Sequence, residues 1–161
     1  MKKILDACCG SRMFWFDKKN PNVLFQDIRE EEHILCDGRK LEIKPDVVSD
    51  FTDMPYEDNI FNLVVFDPPH LIKLGKTSWM AKKYGVLPRE WKPVISNGLR
   101  ECMRVLKPNG VLIFKWNERD VKIKDILSIS DYKPLFGHTT RRNSETIWMC
   151  FMKINDQLSS L

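Results

Sequence analysis

The sequence lacks a long apolar run, because no stretch approaches the ~18 consecutive apolar residues of a membrane span. The first segment, Met1-Lys2-Lys3-Ile4-Leu5-Asp6, does not resemble a signal peptide, because its apolar part is too short and the acidic Asp6 follows directly. We therefore expect a cytoplasmic protein without a membrane partner. Of the 161 residues 43% are hydrophobic, enough for a core, and no repeat, low-complexity tract or boundary divides them. We predict one domain, residues 1–161.

Paired cysteines and metal-ligand spacings are also lacking. The five cysteines are odd in number and include the adjacent Cys8 and Cys9, which suits a reducing compartment better than a disulfide framework. His33 and Cys36 are three residues apart, but no second pair of similar spacing accompanies them. We therefore expect no bound metal.

A large charge of one sign is missing from the chain as a whole but not from one segment. The net charge is +4, and residues 71–97 alone contribute +5. This segment interleaves Trp79, Tyr84 and Trp91 with the basic residues Lys73, Lys76, Lys82, Lys83, Arg89 and Lys92. Positive charge together with flat rings is what single-stranded or flipped-out nucleic acid requires.

We therefore interpret residues 71–97 as a basic, aromatic substrate loop inserted after the fourth core strand. Its predicted substrate contacts are Lys73, Lys76, Trp79, Lys82, Lys83 and Trp91. The alternative is a solvated surface loop whose tryptophans pack on the domain. A second basic patch, residues 138–142, lies between the last two predicted strands, and its His138 and Arg141 are predicted to line the same mouth.

Short apolar segments that end in polar residues predict the strands of a sheet. They are residues 2–5, 23–26, 47–49, 60–66 and 111–114, with final strands near 133–136 and 146–152. Helices are predicted at 121–128 and before Lys107, where apolar residues recur at helical spacing, and any helix around residues 13–19 must be short. Asp37-Gly38 is a signal for a two-residue type I′ hairpin turn. The order predicts an α/β fold: a doubly wound, mostly parallel sheet of about seven strands with an antiparallel edge.

A polar residue follows each of the first five predicted core strands. These residues are Asp6, Asp27, Asp50, Asp67 and the group Lys115-Trp116-Asn117. Asp at one strand end is common turn chemistry, but a whole set is harder to explain that way. Because ligands of open parallel sheets bind outside the carboxyl ends of the strands, we expect the site there.

Asp67-Pro68-Pro69-His70 clusters hydrogen-bond acceptors at the end of the fourth strand. Two successive prolines hold the preceding residues extended and remove two N–H donors. The Asp67 carboxylate and the Pro68 carbonyl would together bind an amino group and direct its lone pair at an electrophile. We predict these four residues to be catalytic. The alternative is that the prolines only end a buried strand.

Three segments, in order, resemble motifs of class I S-adenosylmethionine-dependent methyltransferases. Residues 6–11, Asp-Ala-Cys-Cys-Gly-Ser, are similar to the family's D-P-x-C-G-S-G loop. Residues 53–70 resemble the stretch that leads to its D/N-P-P-aromatic motif, and residues 106–112 resemble its L-K-P-G-G strand entry. The resemblance extends from Ile4 to about Phe114. It implies a Rossmann-like fold, S-adenosylmethionine as cofactor with S-adenosylhomocysteine as product, and no metal.

The resemblance also implies a set of cofactor-binding residues: Asp6, Ala7, Cys8, Gly10, Arg12, Asp27, Asp50 and Phe51. Asp27 would accept hydrogen bonds from the ribose hydroxyls, and Asp50 with Phe51 would border the adenine. Arg12 replaces a usual glycine, and it either pairs with the methionine carboxylate or is an exposed loop residue. His70 replaces an aromatic residue that stacks on the target base, which implies weaker stacking or a proton-accepting role.

The function that these motifs imply is methyl transfer to an exocyclic amine, on a nucleobase of DNA or RNA. Two alternatives stay open. A protein side-chain amide is one alternative acceptor, since related methyltransferases use a similar N-P-P-Y element. The other alternative is a cofactor-binding or nucleic-acid-binding module without turnover.

Overall fold

The computed structural model describes residues 1–75 and 78–154. Its elements, in chain order, are β1 (Ile4–Asp6), β2 (Val23–Asp27), β3 (Glu31–Ile34), β4 (Lys40–Ile43), β5 (Val47–Val48), β6 (Phe61–Phe66), α1 (Trp79–Tyr84), α2 (Trp91–Val105), β7 (Leu106–Asn117), α3 (Ile123–Ser128), β8 (Phe136–Thr139) and β9 (Thr146–Met152).

Seven strands form the main sheet, in the order β5-β2-β1-β6-β7-β9-β8. The first five of these pair in parallel, with Asp6 opposite Val65 and Val65 opposite Ile113. β9 runs antiparallel to both β7 and β8. The prediction of a mostly parallel sheet of about seven strands with an antiparallel edge is therefore confirmed. The final strand pair begins at Phe136, a few residues later than the sequence indicated.

The main core lies between one face of the sheet and the helices α2 and α3. The apolar face of α2 buries Ile95, Leu99, Cys102 and Met103, while α3 contributes Ile126. They pack against alternate residues of the central strands, which include Leu5, Val64, Phe66, Leu112, Phe114 and Trp116. The period of two along a strand explains why only one residue in two faces these helices.

No helix forms at residues 13–19, where the sequence left room only for a short one; the structure has turns and bends there. Two consecutive aromatic residues of this segment pack on the opposite face of the sheet instead. The Trp15 ring lies 5.4 Å from Phe25 of β2, and the Phe14 ring lies 5.6 Å from Trp148 of β9. In the described residues no helix covers this face, so the fold is less fully doubly wound than predicted.

The hairpin predicted around Asp37-Gly38 is confirmed as β3 and β4, but its turn differs. Leu35 N donates to Arg39 O and Gly38 N donates to Leu35 O, so the loop encloses three residues. Only Gly38 within it has a positive φ, at 81°. A type I′ turn needs positive φ at two residues, whereas a three-residue loop needs it only at its last one.

The structure also adds a helix that the sequence did not indicate. Inside the basic segment, α1 begins after Ser78, whose Oγ accepts a hydrogen bond from Met80 N at 3.2 Å. No helix in the described part of the chain is both long and apolar enough to cross a membrane.

Candidate functional site

A cavity of about 70 Å³, open to solvent, lies at the carboxyl edge of the parallel strands. It brings together three segments that are far apart in sequence, 8–11, 27–29 and 67–70, and single residues from elsewhere: Met13, Phe14, Phe51, Lys83 and Tyr84. The cavity lies at the carboxyl ends of the parallel strands, where the sequence predicts the ligand site.

The first loop, residues 6–11, is held by a buried carboxylate. Asp6 is fully buried; its Oδ2 accepts the Trp15 indole N–H at 2.7 Å, and its Oδ1 accepts Cys8 N at 3.3 Å. Burial raises the pKa of Asp6 to about 7, although the Trp15 hydrogen bond acts in the other direction. Asp6 and Ala7 therefore shape the loop without lining the cavity.

The remainder of this loop forms one wall of the cavity. Cys8 lines it, and burial raises the pKa of its thiol, so Cys8 presents a neutral group and not a thiolate. Gly10 has a φ of 48°, in the left-handed region that favours glycine. Its N–H donates to Asp27 Oδ2 at 2.9 Å, which joins the loop to the end of β2.

Asp27 lies at the junction of three elements. Its Oδ1 accepts Arg29 N at 3.0 Å and Arg29 Nε at 3.3 Å, and only 5% of Asp27 is exposed. Arg29 also donates to the Lys82 carbonyl at 2.8 Å. The same guanidinium thus ties the end of β2 to α1, and α1 supplies Lys83 and Tyr84 to the cavity. Sequence reasoning did not identify Arg29.

Of the predicted pair Asp50 and Phe51, only Phe51 lines the cavity. The exposed Asp50 uses its Oδ1 to accept hydrogen bonds from Thr52 N and Thr52 Oγ1, both at 2.8 Å. The Phe51 ring lies edge-on to Phe66, with 5.0 Å between centroids. A Cβ at Gly98 of α2 would come within 2.7 Å of both rings. The absence of a side chain at Gly98 therefore sets the position of Phe51.

Arg12 is not brought into the cavity. Its guanidinium donates to the carbonyls of Lys18 at 2.6 Å and Lys44 at 2.7 Å, and it lies over the Phe25 ring, 3.8 Å from the centroid. Through these contacts the Arg12 guanidinium joins the loop after β1 to the segment before β5. Neither the carboxylate-binding nor the exposed-residue interpretation of Arg12 describes this position.

Asp67 lies at the end of β6 and is paired with a lysine. Lys115 Nζ of the neighbouring β7 donates to Asp67 Oδ2 at 2.7 Å. The Lys115 ammonium also lies 5.5 Å from the ring centroids of both Phe14 and Trp148. Burial raises the pKa of Asp67, and the Lys115 charge acts against that rise. Lys115 was visible in the sequence only as a strand-end residue, since its pairing depends on strand register.

The two prolines and His70 complete this wall. Pro68 is buried, and no hydrogen bond within the described residues ends on its carbonyl. The His70 ring lies 5.9 Å from Tyr84 and 6.4 Å from Trp116. Burial, together with the Lys115 charge, lowers the pKa of His70 to about 4. The imidazole is therefore neutral near pH 7.

The predicted substrate contacts divide into separate groups. Lys83 lines the cavity, 5.2 Å from the Tyr84 ring centroid, whereas Trp79 is 48% exposed outside it. Lys73 and Trp91 line another hollow, and Lys82 borders one beside β3. Lys76 lies outside the described residues.

The second basic patch lies at the same edge of the sheet as the cavity. His138, on β8, and Arg141, in the loop before β9, are both exposed. Neither residue lines the cavity. In the described part of the chain, no group of three or more His, Cys, Asp or Glu residues is arranged to hold a metal ion.

Comparison with known proteins identifies similar structures but no similar sequences. No protein-family model matches the chain, and the comparison with curated proteins also gives no match. A TehB-like SAM-dependent methyltransferase from Corynebacterium glutamicum superposes with a TM-score of 0.59 at 18% identity, over 94% of this chain and 80% of that one.

Two further solved structures agree with this result. A SAM-dependent methyltransferase from Methanosarcina mazei has a TM-score of 0.55 at 13% identity, over 96% of this chain and 94% of that one. The 1,6-didemethyltoxoflavin-N1-methyltransferase of Burkholderia thailandensis, solved with S-adenosylhomocysteine, has a TM-score of 0.53 at 12% identity, over 94% and 71%. The chain therefore has the Rossmann-like fold of class I S-adenosylmethionine-dependent methyltransferases.

Proposed function

We propose that this protein is an S-adenosylmethionine-dependent methyltransferase that methylates an exocyclic amine of a nucleobase in DNA or RNA. The observation that carries the proposal is the single cavity that holds both the first loop and Asp67-Pro68-Pro69-His70. A cofactor loop and an acceptor site must share one space if a methyl group is to pass between their ligands. The fold supports the same conclusion.

The residues present fit S-adenosylmethionine. Cys8, Gly10 and Phe51 line the cavity, and Asp27 presents a carboxylate whose Oδ2 has one protein donor, so it can still accept a ligand hydroxyl. When bound, the cofactor supplies a methyl group activated by a sulfonium. The roles assigned to the chain are to hold the adenosine part beside Asp27 and Phe51 and the methionine part beside residues 8–11.

The acceptor amine is assigned to Asp67 and Pro68. Lys115 occupies Asp67 Oδ2, and within the described residues nothing donates to Oδ1. Asp67 Oδ1 and the Pro68 carbonyl are therefore two acceptors with free lone pairs at adjacent positions. An amine that donates one hydrogen to each is drawn toward tetrahedral geometry, so its lone pair is available for the methyl group.

A nucleobase suits the rest of the cavity wall. Neutral His70 and Tyr84 provide flat surfaces, and Lys83 adds a positive charge at the rim. A base can reach Asp67 only when it is unstacked, because the site is concave. Metal ions have no role in this proposal, since positioning and electrostatics are sufficient for an in-line displacement.

The experiment is methyl transfer from radiolabelled S-adenosylmethionine to separate DNA, RNA and protein pools. We expect label in a nucleic-acid pool, on an exocyclic nitrogen after digestion, and calorimetric binding of the cofactor and its demethylated product. Asp67→Ala should lower transfer by roughly 10²–10³-fold, the usual effect of removing one group that stabilises a transition state, with cofactor binding retained.

The matched control is Asp53→Ala, because Asp53 is an exposed carboxylate of the same chain outside the cavity. It should transfer like the wild type. Label found only in the protein pool would contradict the nucleobase assignment. An absence of cofactor binding would contradict the methyltransferase itself.

A further inference from the structure

A second, larger concavity adjoins the site cavity. It has a volume of about 570 Å³ and shares Gly10, Ser11, Met13 and Lys83 with the site. One wall is the loop that follows β1, and the other is formed by β4 and the segment before β5. We call this concavity the basic groove.

The lining of the basic groove is strongly positive. Six basic side chains are arranged along it besides the fastened Arg12: Lys18, Lys19, Arg39, Lys40, Lys44 and Lys83. Its only acidic residues are Glu42 and Asp46, and Asp46 already pairs with Lys2. This charge was not apparent in the sequence, where Glu32, Asp37 and Asp46 balance the basic residues. In the structure Glu32 and Asp37 do not line the groove, and Asp46 pairs with Lys2.

Four of these lysines have no carboxylate partner. Arg39 pairs with Asp37 and Lys40 with Glu32, outside the groove lining. Over the residues that the structure describes, Lys18, Lys19, Lys44 and Lys83 take part in no salt bridge. Lys18 and Lys19 stand on one wall, Lys44 on the other, and Lys83 lies where the groove meets the site.

We infer that the basic groove holds the phosphates of a nucleic-acid strand whose target base enters the site cavity; this inference rests on the proposed function. Unpaired cations on both walls of a concave surface focus a positive potential on an anionic chain. Because the groove ends at Lys83, a strand lying in it reaches the rim of the cavity that contains Asp67.

The groove recognises the backbone and not the bases. Its apolar lining residues are Met13, Leu35, Leu41 and Pro45, so among the described residues no aromatic ring is available there for base stacking. Contacts of lysine with phosphate carry no sequence information and release counterions. Binding through the groove is therefore independent of sequence and steeply dependent on salt.

The test uses the whole chain and a short fluorescein-labelled single-stranded oligonucleotide of mixed sequence. Affinity is measured by fluorescence anisotropy at several concentrations of potassium chloride. The variant is Lys18→Ala/Lys19→Ala/Lys44→Ala, in which all three positions are exposed and outside the site cavity. At ~0.7 per lost phosphate contact, its plot of log affinity against log salt should be flatter by about 2.

The control is Lys3→Ala/Lys124→Ala/Lys133→Ala. These lysines are equally exposed and line neither concavity. Because this variant has the same net charge as the groove variant, it separates a local effect from a global one. It should keep the wild-type slope, and both variants should bind S-adenosylmethionine with wild-type affinity in calorimetry.

Four results would overturn the inference. An unchanged slope in the groove variant, or an equal change in the control, would show that these lysines contact no phosphate. Groove-dependent binding of polyglutamate in place of the oligonucleotide would identify an acidic polypeptide as the partner. If the wild type bound cofactor and methylated only protein, the proposed nucleobase substrate would itself be wrong. The groove would then have no nucleic-acid strand to bind.

Discussion

Lys115 Nζ lies 2.7 Å from Asp67 Oδ2 while it also lies 5.5 Å from the rings of Phe14 and Trp148. The lysine holds one carboxylate oxygen of Asp67, and no donor in the described residues reaches the other. It also acts against the rise in the pKa of Asp67 that burial causes. In the proposed reaction Lys115 therefore acts as a positioning residue for Asp67.

We predict that Lys115→Met lowers kcat/KM by roughly 10- to 100-fold at neutral pH, about the value of one charge-assisted hydrogen bond. Without the ammonium the pKa of Asp67 rises, so the acidic limb of the pH–rate profile should move to higher pH. Lys115→Arg keeps the charge and should restore the limb. Lys107→Met, on the same strand but far from the cavity, is the control. An unshifted limb in Lys115→Met would show that Lys115 has no effect on Asp67.

Gly98→Ala should weaken cofactor binding although Gly98 touches no ligand. The new methyl group would lie 2.7 Å from Phe51 and Phe66, and Phe51 lines the cavity. Overpacking of this kind costs about 1–3 kcal/mol of stability. Calorimetry and thermal unfolding measure the two effects, with Asn97→Ala, exposed on the same helix, as control. Phe51→Leu in the Gly98→Ala background should recover part of the lost stability, because the clash with Phe66 remains; no recovery would contradict a clash with Phe51.

The pH dependence of stability should contain a contribution from Asp6. Its pKa is about 7 in the folded protein and near 3.8 when exposed, so between these values the unfolded chain is ionised and the folded one is protonated. The free energy of unfolding should therefore fall as pH rises from about 4 to about 7. The carboxylates of Asp27 and Asp67 contribute to the same rise in the pKa of Asp6.

Asp6→Asn tests this dependence. The side-chain amide oxygen still accepts the Trp15 N–H but does not ionise, so the fall between about pH 4 and pH 7 should become smaller. Urea unfolding at several pH values compares the two proteins. If both lose the same free energy over this range, other groups cause the dependence.

Arg29→Ala should release α1 from the end of β2. The guanidinium contacts Asp27 and the Lys82 carbonyl and has 19% of its side chain exposed. We expect faster amide hydrogen exchange in α1 and weaker binding of substrate, because Lys83 and Tyr84 lose their fixed position. Arg100→Ala, which breaks an exposed pair with Asp131, is the control. Equal exchange rates for α1 in Arg29→Ala and wild type would contradict this role.

The sequence was informative wherever local chemistry decides the structure. Strand ends at Asp6, Asp27 and Asp67 are recognisable because apolar runs stop at turn-forming residues. The hairpin at Asp37-Gly38 is recognisable for the same reason. Residues 13–19 form no helix, because their aromatic side chains, which have modest helix propensity, pack on the sheet instead.

Contacts between distant segments could not be predicted. The pair Lys115–Asp67 depends on the register of β6 and β7, and the tether of Arg29 to Lys82 depends on a helix that no periodicity marked. The basic groove could not be predicted, because the charge along the chain does not show which residues lie close together in space. In space, Glu32, Asp37 and Asp46 are engaged by Lys40, Arg39 and Lys2, and the lysines left over converge from separate segments.

The segment between Gly10 and Lys19 covers an apolar sheet face that no described helix covers, and its first residues also border the ligand cavity. A ligand that contacts this segment therefore acts on the folding equilibrium as well as on catalysis. By mass action, a cofactor present at 100 times its Kd stabilises the folded chain by about 2.7 kcal/mol. Under the proposed function, the folded population of this chain should therefore rise with the concentration of S-adenosylmethionine.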